Sequence, residues 1–70
     1  MKYAVVIEKA TSNYSAYVPD LPGCIATGAT VEEIERKIRA AIEFHLEGLR
    51  SEGYEIPNPS SSVEYVEVAA

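Results

Sequence analysis

The sequence is poor in the residues that build covalent or metal-bound frameworks. It has one cysteine, one histidine and no tryptophan. A single thiol excludes an internal disulfide, and one cysteine with one histidine is too few soft ligands for a structural zinc site. Cations are scarce as well: six lysines and arginines stand against eleven aspartates and glutamates, a net charge of −5. Such a chain repels phosphate backbones, so the composition argues against direct nucleic-acid contact and favours a basic protein partner. No apolar run approaches the ~20 residues of a membrane helix, and the apolar run near the start is too short for a secretory signal. The expectation is a cytoplasmic protein with no membrane partner and no cofactor.

Seventy residues suffice for one small domain spanning 1–70. In a domain of this size, hydrophobic gain and ordering entropy, roughly 1.5 kcal/mol per residue, nearly cancel. Without a disulfide or metal, self-association is the expected source of additional stability, as a homodimer or homotetramer.

What is present reads as an α+β chain. KYAVVIE (2–8) is a strand, with Tyr3, Val5 and Ile7 on one face and Ala4 and Val6 on the other. KATSN (9–13) suits a hairpin connection, YSAYV (14–18) a second strand ended by Pro19, and CIATG (24–28) a short third. TVEE (30–33) matches a capping box, with Thr30 accepting from the Glu33 amide and the Glu33 carboxylate reaching back to the Thr30 amide. Val31, Ile34, Ile38, Ala41, Ile42, Leu46 and Leu49 form one helical stripe. Glu32–Arg36, Glu33–Lys37 and Glu35–Arg39 are candidate ion pairs. Gly53 closes the helix in a Schellman motif with Tyr54. Past the proline-containing connector 55–62, VEYVEV (63–68) reads as a fourth strand. The predicted order is β-β-β-α-β, with a sheet of order 3-2-1-4 and one helix on one face. Tyr17 and Ile25 lie in the opposite phase to Ala16, Val18, Cys24 and Ala26. Some apolar sheet surface therefore has no partner within the chain.

The candidate chemistry is thin. Cys24 has no recognisable base, cation or nearby helix start to activate it, and reads as a small half-buried strand residue. His45 lies in the helix stripe without a carboxylate or nucleophile assigned to it. Glu8, Glu64 and Glu67 would approach one another if the fourth strand lay beside the first, but they sit near strand ends and read as solvated charges rather than a metal site. No catalytic residue and no metal site follow from the sequence. Phe44 falls off the apolar stripe, between the small residues Ala41 and Gly48. It reads as a self-association contact, with a fold-back onto Tyr54 or the tail as the alternative.

The stretch VPDLPGCIATGATVEE, followed some twenty residues later by EGYEIPNPS, resembles the HicB family of type II toxin–antitoxin antitoxins over nearly the whole chain. The resemblance implies a partial RNase H-like two-layer fold without nuclease activity. It also implies a protein that neutralises HicA, a small basic ribonuclease that cleaves mRNA with the help of a histidine. Members often carry a C-terminal DNA-binding domain; the reading expects a short HicB-like domain without that segment. The prolines and Gly23 make residues 19–24 a stiff turn, which loses little entropy on binding. The expected partner-binding residues are Tyr17, Pro19, Asp20, Leu21, Pro22, Gly23 and Cys24. A self-associating structural or adaptor module without a toxin is the alternative, and a nuclease using Glu8, Glu64 and Glu67 a more distant one.

Overall fold

A computed structural model describes residues 1–70. Three strands, β1 (Val6–Lys9), β2 (Tyr14–Tyr17) and β3 (Ile25–Gly28), precede one helix, α1 (Val31–Ser51). The sheet order is β1-β2-β3, antiparallel throughout. Ile7, Ala16 and Ala26 stand opposite one another, and so do Val6, Tyr17 and Ile25. Because side chains alternate across a strand, the first row faces the helix and the second faces away. The Ala10 amide closes the hairpin on the Asn13 carbonyl at 2.8 Å.

β1 starts at Val6 rather than Lys2. The reason lies in its neighbour: backbone groups alternate between the two sides of an antiparallel strand, and Val18 turns its amide to the β3 side, onto the Cys24 carbonyl. The next residue to face β1 is Pro19, which has no amide to give.

Backbone bonds also close the connection between β2 and β3. The Val18 carbonyl accepts from Leu21 at 3.1 Å, and the Leu21 carbonyl accepts from Cys24 at 3.0 Å. Two β-turns follow each other, with Pro19 and Pro22 at their second positions. Gly23, at the third position of the second turn, has φ +84°, the conformation that a type II turn requires and that other residues rarely adopt. The Leu21 side chain between the turns is fully buried.

α1 begins as its capping sequence predicts, with one change. Thr30 Oγ1 accepts from the Glu33 amide at 3.1 Å, but the Glu33 carboxylate reaches the Ala29 amide, not that of Thr30. Of the three expected ion pairs, only Glu33–Lys37 closes, at 2.9 Å. The other two pairs lie on the exposed helix surface, where side-chain entropy offsets most of such a contact. The Lys37 hydrogen bond and the Ala29 amide hold the Glu33 carboxyl below its usual range. At the other end, Gly53 donates to Arg50 at 3.1 Å and Tyr54 to Leu49 at 2.9 Å, the two bonds of a Schellman motif.

The core joins Ala16, Val18, Leu21, Cys24, Ile34 and Ile38. Gly28 lets helix and sheet meet: a Cβ there would stand 3.1 Å from the Ile34 amide nitrogen. The helix consequently packs on β3 and β2 and not on β1. It is not long and apolar enough to cross a membrane.

The fourth strand does not form. Residues 63–68 make no backbone hydrogen bond, and residues 60–70 are exposed throughout. The connector is held at two points: the Tyr3 hydroxyl, ahead of β1, donates to the Pro57 carbonyl, and Asp20, just past β2, holds Ser60 and Ser61. The sheet order is 3-2-1 within the chain, and residues 62–70 form an arm.

Candidate functional site

The double turn positions a small exposed surface. Tyr17 and Ile25 flank it on the face of the sheet opposite the helix, paired directly across β2 and β3. Ile25 is 68% exposed and Tyr17 41%. Val6, half-buried, extends the row onto β1. Nothing in the chain covers this face.

The loop divides into surface and interior. Pro19, Pro22 and Gly23 are exposed and can meet a partner. Leu21 and Cys24 cannot: they are 0% and 4% exposed and belong to the core. Both face the helix, because Leu21 points inward between the two turns and Cys24 shares the phase of Ala26. Burial also pushes the Cys24 thiol above its usual pKa, which opposes the thiolate a nucleophile needs. Asp20 is engaged within the chain. Its two oxygens accept from the amides of Ser60 and Ser61 at 3.0 Å and from their hydroxyls at 3.0 and 2.8 Å.

The loop and the helix residues singled out from the sequence come together. Gly23, Cys24 and Ile25 form one wall of a shallow open groove; Ala41, Phe44 and Gly48 form the other. Phe44 is 79% exposed and Tyr54, at the groove's end, 64%, so Tyr54 does not cover Phe44. His45 also lines the groove, half-buried, without a hydrogen-bonded partner. Glu52 adds an acidic rim. Glu8 lies on β1 whereas Glu64 and Glu67 lie on the arm, and no three acidic, histidine or cysteine side chains converge as a metal site. Ile25 and Tyr54 are the contact residues that the loop motif alone does not indicate. The reversed phase of Ile25 relative to Cys24 and Ala26 is the signal that marks it.

The arrangement offers a preformed apolar patch with acidic surroundings, and no pairing of nucleophile and base.

A family model described as HicB_like antitoxin of bacterial toxin–antitoxin system matches residues 3–69. A 14.9 kDa protein from the rep–hol intergenic region of Haemophilus phage HP1 is 36% identical over 66 residues, covering 94% of this chain. The chain spans only 50% of that phage protein's length. A UPF0150 protein of Helicobacter pylori is 40% identical over 58 residues, covering 83% of this chain and 81% of its own. Among solved structures, a chain of the HicA3 and HicB3 toxin–antitoxin complex superposes with a TM-score of 0.73 at 32% identity. It covers 86% of this chain and 70% of that one.

Proposed function

The chain belongs to the HicB-like antitoxin family of bacterial toxin–antitoxin systems, and from that premise we propose that it neutralises a small, basic, HicA-like mRNA-cleaving toxin by protein contact. The observation that carries the reading is its likeness, at 32% identity and TM-score 0.73, to a chain of a toxin–antitoxin complex. On this reading residues 1–70 act as one binding domain in the cytoplasm, a truncated relative of the RNase H-like fold that catalyses nothing. Contact with nucleic acid, if the toxin carries any, runs through the toxin.

The physical features support this use. The double turn is closed by its own backbone bonds, so little loop entropy is lost on docking. Val6, Tyr17 and Ile25 supply an apolar centre, and the net charge of −5 steers a basic partner toward it. Pro19, Pro22 and Gly23 form the rim.

Co-expression with a small basic HicA-like toxin tests the proposal: the toxin should be captured and growth restored. Ile25→Asp combined with Tyr17→Ala should weaken capture about tenfold or more, as loss of a central contact does. Absence of both binding and rescue overturns the reading. One observation favours a second reading, a self-associating module without a toxin: the exposed Phe44 in its groove of small residues.

A further inference from the structure

The flank of the helix facing β1 is unfilled. Tyr3, Val5 and Ile7 on one side and Ile38, Ile42 and Leu46 on the other line an open apolar trough, and the outer edge of β1 has no hydrogen-bonded neighbour. Four of the chain's six cationic residues, Lys2, Arg36, Arg39 and Arg50, line this trough together with three glutamates. None of the four closes an ion pair within the chain, where Glu33–Lys37 is the only one. In a protein of net charge −5, this is where cations collect, so a basic partner is a poor occupant.

The arm has the complementary character. Its residues 63–68, VEYVEV, alternate so that Val63 and Tyr65 share one face and Val66 and Val68 the other. All four are exposed, from 50% for Val63 to 96% for Tyr65. β1 and the two residues before it are likewise apolar on both faces, with Val5 and Ile7 toward the helix and Ala4 and Val6 away. Glu64 and Glu67 bring negative charge to the cationic rim. Within its own chain the arm stays unpaired and exposed, with its root held at Asp20 by the Ser60 and Ser61 bonds.

We propose that residues 63–68 of a second copy of this chain add as a strand to the outer edge of β1 and fill the trough. Each copy gives an arm and receives one, so the exchange closes on a two-fold axis. Strand addition satisfies two rows of backbone groups that are otherwise unpaired, the arm's and the β1 edge's. It also places an apolar face of the arm under the helix flank that β1 leaves bare. The exchange uses neither the loop 19–24 nor Phe44, so it stands independently of toxin binding.

The test uses the full chain in a mixture of carbon-13-labelled and unlabelled copies. Isotope-filtered nuclear Overhauser contacts from the Val66 and Val68 methyls to Val5 or Ile7 should arise between chains. Val66→Pro, which removes one ladder bond, should raise the dissociation constant of this contact by about tenfold or more. In sedimentation it should halve the assembly mass with the helical circular dichroism unchanged. The same contacts appearing only within one chain overturn the proposal, as does an unchanged mass for Val66→Pro. If that variant fails to fold, Glu64→Lys with Glu67→Lys provides a milder disruption: weaker association supports the exchange, and an unaffected one refutes it.

Discussion

Asp20 illustrates how much one residue can depend on distant sequence. A Pro-Asp pair in a turn suggests bonds to neighbouring amides, yet the carboxylate reaches Ser60 and Ser61, 40 and 41 residues away. Those donors lower its pKa from the ordinary 3.8 to about 2, the Ser61 amide contributing most and the Ser60 amide next. The folded chain therefore binds this proton less readily than the unfolded one. The clamp's stabilising contribution is complete above pH 3.8 and is lost as the pH falls through about 2. The Ser60 and Ser61 amide resonances should accordingly titrate near 2, and Asp20→Asn should shift both resonances at neutral pH by removing acceptor capacity. A midpoint at 3.8 would show that the carboxylate is free in solution. Cys24 teaches the reverse lesson. Its phase in β3 predicts burial, whereas membership of a contact loop suggested exposure; the phase was the better guide.

The helix is the element the sequence specifies most completely. Its Thr30 cap, its stripe from Ile34 onward and its Schellman end each rest on contacts within a few residues and are found where the spacing places them. Val31, by contrast, is exposed, and the Glu33 carboxylate takes the Ala29 amide. Thr30→Ala removes the bond to the Glu33 amide and should cost about 1 kcal/mol. For a domain of this size that lowers the melting temperature by about 4–8 °C. Thermal unfolding followed by circular dichroism measures it, and an unchanged midpoint would mean that the cap contributes nothing. The strands were less legible. β2 and β3 keep their alternation, but β1 loses its first residues. The next β1-facing position after Tyr17 is Pro19, which has no amide, a limit set by the partner strand rather than by β1 itself. VEYVEV has the pattern of a strand and no neighbour to pair with. Alternation reports what a segment can do, while pairing depends on where the connector leaves it. The contact surface was legible to a similar degree: Phe44, Ala41 and Gly48 follow from helical spacing, but their meeting with Gly23 and Ile25 is a product of the fold.

The whole molecule measures 48 × 26 × 16 Å, and a 21-residue helix accounts for about 31 Å of its length. Its two helix flanks offer surfaces of different kind, a cationic trough beside β1 and the Phe44 groove beside the loop. Only seven of the 70 residues are buried. For so small a core, association through either flank adds a substantial share of the stability. At the groove, Ala41 and Gly48 allow a second helix to approach closely, and a two-fold contact buries two Phe44 side chains, each worth about 1.5–3 kcal/mol. Phe44→Asp should therefore weaken self-association while leaving the helix intact, because position 44 points away from the core. Sedimentation at micromolar concentration decides it. Reduced assembly mass with unchanged helicity assigns the groove to a second copy. An unchanged mass assigns it to another protein, and loss of toxin capture by the same variant would then identify that protein, since Ile25 belongs both to the groove and to the open face of the sheet.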